Sequence, residues 1–233
     1  MFEISPAESI ALFLSLKVAA TGVLLSLPFG IAIAWALARF NFPGKLLVDG
    51  MIYLPLVIPP VATGYLLLVL LGTNGVLGSW LLSQFDIRLV FTWQGAALVA
   101  AVMGFPLLVR SLRLSIEAID TGLIQAARTL GASPFRVIFT IVLPLISPGL
   151  IAGSFLAFAR ALGEFGATIA FVGNIPGQTQ TLPLALYSAL QSPSGDELGI
   201  RLVILSIGLA IVTLAASEFL SRVMRRRLTG DPS

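Results

Sequence analysis

The chain has 233 residues, of which 57% are hydrophobic and only 11% charged, with a net charge of +3 and a mean hydropathy of +1.00. Soluble domains sit near 45–50% apolar with about a quarter charged, so this composition belongs to a membrane. There is no cysteine and no histidine. That excludes disulfides, Cys/His metal centres, thiol nucleophiles and histidine-based triads.

A spanning helix needs about 20 mostly apolar residues. Five stretches qualify, roughly Ile10–Ala38, Gly50–Leu71, Leu89–Leu112, Val137–Ala161 and Ile200–Leu220. Backbone polar groups cannot go unpaired in hydrocarbon, so runs of this length are expected to be helices. The first eight residues, Met1 to Glu8, lack the basic start of a signal peptide, and the apolar run behind them is too long for one. The first span is therefore expected to stay in the protein. An odd number of spans puts the termini on opposite sides. Arg39, Lys45, Arg110, Arg113, Arg128, Arg136, Arg222, Arg225, Arg226 and Arg227 fall on one face, against Lys17, Arg88, Arg160 and Arg201 on the other. The positive-inside bias makes the N-terminus external and the C-terminus cytoplasmic. The last four of the inner arginines read as a stop-transfer anchor. Basic charge placed this way reports topology and implies no nucleic acid.

Proline interrupts the spans. Leu54-Pro55-Leu56-Val57-Ile58-Pro59-Pro60-Val61 lies in the middle of the second, and each interior proline removes a helix hydrogen bond and clashes with the turn before it. Pro28, Pro106, Pro144 and Pro148 repeat the theme. Kinks in four spans suit a bundle that moves or surrounds a cavity. The outer segments Gly72–Arg88 and Gly163–Gly199 contain apolar runs too short to span, among them Ala167–Val172 and Leu182–Leu190, and read as interfacial or re-entrant. Charge within the bilayer is scarce and informative. Lys17 is placed to snorkel outward. Arg160 and Glu164, one turn apart beside Gly163 and Gly166, are either a local pair or, with Pro59, Pro60 and Gly166, the lining of a translocation pathway.

The cytoplasmic segment between the third and fourth spans, about 113–134, is organised differently. Leu123–Leu130 has helix-forming composition, and Gly131 is placed to take the left-handed conformation just beyond its end. Ser133-Pro134 then supplies an N-cap and a proline at the first helical position. A short helix, a tight turn and an immediate start of the fourth span are expected. Ala126, Ala127 and Leu130 form a small apolar patch, with Gln125 and Arg128 beside it for hydrogen bonds. Alanines are poor lipid anchors, so the element reads as a protein-docking surface.

Gln125-Ala126-Ala127, Gly131, then Ile141, Leu143 and Pro144 resemble the loop signature Glu-Ala-Ala-x3-Gly-x9-Ile-x-Leu-Pro of bacterial ABC importer permeases, with glutamine in place of glutamate and both spacings kept. The segments Leu54–Tyr65, Arg160–Thr168 and Gly173–Tyr187 resemble molybdate permeases, the second being shared with sulfate permeases. The resemblance implies an all-α integral membrane fold, the transmembrane domain of a type I importer occupying 1–233 as one domain in the inner membrane. Its loop is the coupling helix, and Gln125, Ala126, Ala127, Arg128, Leu130 and Gly131 become the ATPase-coupling residues. It further implies a homodimer, two cytoplasmic ATP-binding subunits and an external, periplasmic oxyanion-binding protein. The cargo would be molybdate, with tungstate alongside it, or alternatively sulfate or thiosulfate. No phosphate loop is present, since Gly44-Lys45 is followed by leucine. The chain is therefore expected to bind no cofactor and to leave ATP and Mg²⁺ to its partner. An intramembrane enzyme would need a nucleophile and base or a metal site. An autonomous carrier would need no docking loop.

Overall fold

A computed structural model describes residues 5–193 and 195–229, without the side chains of residues 225–229. Arg225, Arg226 and Arg227 of the expected terminal anchor therefore lie outside the described side chains. The described residues are helical with no strand: α1 (Pro6–Arg39), α2 (Lys45–Val57), α3 (Pro60–Leu71), α4 (Val76–Phe85), α5 (Trp93–Glu117), α6 (Thr121–Thr129), α7 (Pro134–Val137), α8 (Leu143–Leu162), α9 (Gly166–Val172), α10 (Leu182–Leu190) and α11 (Asp196–Thr229). A π-helical turn at Ile138–Val142 joins α7 to α8. Four helical segments are long and apolar enough to cross a membrane: α1, α5, the α7–α8 rod and α11. The bent pair α2–α3 makes a fifth. Among the described residues four of the five expected spans are single helices, and the second is this bent pair, a span only if its two halves are counted as one.

Their ends follow from caps. Ser5 accepts a hydrogen bond from Glu8 N–H while Glu8 Oε2 accepts from Ser5 N–H at 2.6 Å, a reciprocal box that starts α1 at Pro6. Thr92 caps α5 through Gly95 N–H at 3.1 Å. The second span is broken. α2 ends at Val57, α3 begins at Pro60, and the two axes differ by 115°. Pro59 and Pro60 have no N–H to continue the first ladder, so a new helix starts at Pro60, where the missing donor costs nothing.

α5 is the central post. Ala96, Ala97, Val99, Met103, Leu108, Val109, Leu112 and Ile116 along it are fully buried. Towards the outside it packs with Val18 and Ala19 of α1 and with Ala167, Phe171 and Val172 of α9. Towards the cytoplasm it packs with Ala34 and Leu37 of α1 and with Val142, Ile146 and Ala157 of the fourth span. Small residues let these backbones approach, which matters because lipid supplies no hydrophobic drive between helices. A Cβ at Gly22 of α1 would stand 2.9 Å from Ala100 Cβ, and one at Gly153 of α8 would stand 2.8 Å from Ser111 Cβ. Ser111 Oγ donates to Gly149 O at 2.8 Å across the same seam.

Several charges treated above as topology signals also hold the bundle. Arg39 Nη2 donates to Ile116 O at 2.8 Å and Ile119 O at 3.1 Å, tying the inner end of α1 to that of α5. Arg113 bridges Asp49 of α2 at 2.9 Å and Glu117 at 2.8 Å. Lys17 reaches outward, as expected, and its Nζ lies 3.6 Å from the centroid of the Trp93 ring at the outer end of α5.

Candidate functional site

The cytoplasmic elbow begins where α5 stops. Asp120 accepts from Gly122 N–H at 2.8 Å and starts α6 at Thr121, earlier than the Leu123 start that composition suggests. The Asx signal at Asp120 was available in the sequence and marks the true beginning. At the other end Leu130 N–H donates to Ala126 O, Gly131 N–H to Arg128 O at 3.0 Å, and Ala132 N–H to Ala127 O at 3.0 Å. With Gly131 at φ +83°, this is a Schellman closure. Ser133 then caps α7 by accepting from Arg136 N–H. Glycine stop and serine restart stand where the sequence puts them.

The exposed face differs from the expected patch. Ile124, Ala127 and Ala132 pack on the inner core cluster, so Ala127 faces the protein itself. A nine-residue helix needs such a footing to hold its orientation. What remains outward is a strip of Leu123, Ala126 and Leu130, with Leu130 88% exposed, flanked by exposed Gln125 and Arg128. Phe135, 76% exposed, extends the apolar surface past the turn. Sequence reasoning missed Leu123 and Phe135, although the i, i+3, i+7 spacing of Leu123, Ala126 and Leu130 carries the signal.

The elbow is connected to the membrane rod through a feature the sequence shows only indirectly. Leu143 N–H donates to Ile138 O, five residues back, which makes the Ile138–Val142 turn π-helical. Pro144 has no N–H to give Thr140 O, so one rung of the α-ladder is missing here, and at this point the helix widens by one residue. Replacing Pro144 with alanine restores the donor. The expected outcome is an α-helical path there and a rotation of α6 by about 100° relative to α8. Spin-label distances between α6 and α8 check it.

The second constellation lies at the outer end of the fourth span. Arg160 Nη1 donates to Glu164 Oε2 at 2.5 Å, and Glu164 Oε1 accepts from Ala167 N–H at 2.8 Å. The Glu164 side chain is 2% exposed and that of Arg160 27%. Glu164 therefore also braces the start of α9. That helix packs against α3: a Cβ at Gly166 would lie 3.0 Å from Pro60 Cβ, and one at Gly64 would lie 2.8 Å from Ala167 Cα. Pro60, Gly166 and Glu164 thus converge at the junction of α3 with α9. Pro59 sits at the bend itself and Arg160 one turn below Glu164. Thr63, buried on the same helix, has a hydroxyl with no hydrogen-bond partner among the described residues. No group of three or more acidic residues that could hold a metal occurs among the described residues.

A proline-broken membrane bundle with an exposed cytoplasmic elbow is the arrangement that the resemblance to ABC importer permeases implies. A bacterial alginate ABC transporter, solved in complex with an alginate pentasaccharide-bound periplasmic protein, shares this fold with a TM-score of 0.70 at 21% identity, covering 97% of this chain and 80% of that one. The chain belongs to the family of binding-protein-dependent transport system inner membrane components, whose model matches residues 26–226. It is 57% identical to the molybdenum transport system permease protein ModB of Escherichia coli K12 over 93% of this chain and 95% of that protein. The sulfate transport system permease protein CysT of the same strain is 40% identical over 70% of this chain and 58% of its own length. The protein is a multi-pass component of the inner membrane.

Proposed function

We propose that this chain is the permease through which molybdate, and tungstate with it, enters the cytoplasm. The near-full-length identity to ModB carries the substrate reading, because 57% identity extends over 217 residues, 93% of this chain. A sulfate or thiosulfate cargo is the second reading, favoured by the more distant identity to CysT. Uptake of labelled molybdate by cells carrying the whole transporter tests the choice. Tungstate should compete at similar concentration, and sulfate should compete only in large excess. Sulfate competing as well as tungstate would transfer the assignment to the sulfate branch.

In this reading the permease works as a homodimer above two ATP-binding subunits, with an oxyanion-binding protein on the outer face. ATP and Mg²⁺ belong to the ATP-binding subunits, and this chain binds no cofactor. The strip Leu123, Ala126 and Leu130, with Gln125 and Arg128, seats in a cleft of the ATPase subunit. Because α6 is locked to α8 by the Schellman turn and the Ser133 cap, movement of the cleft is delivered to the fourth span rather than dissipated in a loop. That span ends at Leu162, and Arg160 in its last turn pairs with Glu164, which leads into α9 at Gly166 against Pro60 beside the bend. A displacement at the cytoplasmic elbow thus reaches the α3–α9 junction, where the gate would open and close. Cargo and ATP each shift the balance only through contacts that differ between the two states.

A further inference from the structure

The exit end of α6 is fixed by the Schellman turn and the Ser133 cap. The entry end is fixed differently. Asp120 accepts from Gly122 N–H at 2.8 Å, a local bond that starts the helix without placing it in the protein. α6 has no fully buried residue, so packing alone gives it a shallow seat. Ile119, directly before the Asp120 cap, is buried, and its carbonyl accepts from Arg39 Nη2 at 3.1 Å. The same nitrogen donates to Ile116 O at 2.8 Å, one turn earlier. Among the described residues these are the hydrogen bonds that join the corner 116–122 to another helix.

The chemistry suits a fixed joint. The end of α5 leaves carbonyls that its own ladder cannot satisfy, and they carry the negative end of the helix dipole. A guanidinium is always charged and purely a donor, so its hold on them does not vary with pH. Arg39 Nε is buried with no partner among the described residues. The group therefore sits in this corner with one donor unmet, and the two carbonyl bonds are what keep it there. Its support is stiff. Arg39 is the last residue of α1, and α1 lies close on α5: a Cβ at Gly22 would stand 2.9 Å from Ala100 Cβ, and one at Gly30 would stand 2.9 Å from Leu108 Cδ2. The inner end of α1 thus has little freedom to slide, and Arg39 pins the corner from outside it.

We propose that Arg39 is the positioning residue for the entry end of α6. The coupling element is then held at both ends, by α1 through Arg39 and by α8 through Gly131 and Ser133. This rests on the importer reading above. A short helix pinned at one end swings when its partner's cleft moves. Pinned at both, it passes the displacement into the α1–α5 pair as well as into the fourth span. A cation that only capped α5 would brace the fold and leave the orientation of α6 unchanged.

The test uses the full transporter, with its ATPase subunits and the external protein, in proteoliposomes. Arg39→Met keeps the apolar stem and removes both bonds. Oxyanion taken up per ATP hydrolysed should fall about fivefold or more, while hydrolysis itself persists. The chain has no cysteine, so Phe40→Cys with Thr121→Cys, both exposed positions outside the docking strip, carries a pair of spin labels across the joint. Their distance should be narrowly distributed with Arg39 and broad in the methionine variant. Arg39→Lys keeps the charge but loses the reach of the guanidinium, and should give intermediate values in both measurements. A methionine variant with wild-type distances and wild-type uptake per ATP overturns the proposal, even if its unfolding temperature drops, because Arg39 is then only a brace. If that variant is depleted from membranes, the lysine variant decides: wild-type values in both measurements overturn the proposal there too. If the wild-type complex takes up no oxyanion, the importer reading fails separately, and the label distances still report whether Arg39 places α6.

Discussion

Replacing Gly131 with leucine is expected to reduce ATP-driven uptake by about tenfold or more, while the permease still folds and inserts. Gly131 stands at φ +83°, and a Cβ added there would meet nothing within 4 Å. The penalty is therefore conformational and not steric: an L-residue in the left-handed region costs roughly 1–2 kcal/mol. No buried contact of the bundle depends on this position. The local structure relieves the strain by leaving the Schellman turn, which breaks the bonds from Gly131 N–H and Ala132 N–H and frees α6 from α8. Under the proposed coupling role, a loose elbow still fits the ATPase cleft but transmits no displacement. Uptake and ATP hydrolysis measured together in proteoliposomes separate the two, since hydrolysis should persist while uptake falls. Gly131→Asn should retain most of the activity, because asparagine tolerates this region. Wild-type uptake by the leucine variant would remove α6 from the coupling path.

The elbow was legible in the sequence because its signals are local. Gly131, Ser133 and Pro134 each act through their own backbone conformation, and no tertiary contact can overrule a missing N–H. The spans were legible for a similar reason, since hydrocarbon permits little besides helix. What could not be read was which way α6 is turned. Ala126 and Ala127 are chemically identical, and only the inner cluster with Ile124 and Ala132 decides which of them faces out. The π turn was half-visible: Pro144 announces a lost hydrogen bond, but whether the helix kinks or widens depends on what surrounds it. The sequence grouped Pro59, Pro60, Arg160, Glu164 and Gly166, but did not show the helix packing that brings Pro60 and Gly166 together at the α3–α9 junction. Gly64 reads as an ordinary small residue until the Ala167 backbone is brought against it. Arg39 and Arg113 were counted for topology, yet each also closes a helix pair. One charge can serve both purposes because the inner interface is where helices end and need their carbonyls satisfied.

Arg160 offers the other large effect, and it separates bracing from transport. Arg160→Ala leaves the Glu164 carboxylate, with its side chain 2% exposed, facing only Ala167 N–H. Breaking a buried pair from one side typically costs about 3–5 kcal/mol, because the remaining charge keeps its desolvation penalty and loses its partner. The variant should therefore be strongly depleted from membranes or melt far earlier in detergent. Arg160→Met combined with Glu164→Gln removes both charges at similar volume, and the glutamine oxygen can still accept from Ala167 N–H. Folding should recover in that double variant, since replacing both partners of a buried pair is often close to neutral. Its transport is the informative quantity. If Arg160 draws the anion towards the α3–α9 junction, the folded double variant should carry molybdate at about a tenth of the wild-type rate or less. The loss should be in uptake, with binding-protein docking unaffected. Full transport by the folded double variant would reduce the pair to a brace for α9 and move the pathway elsewhere along the broken second span.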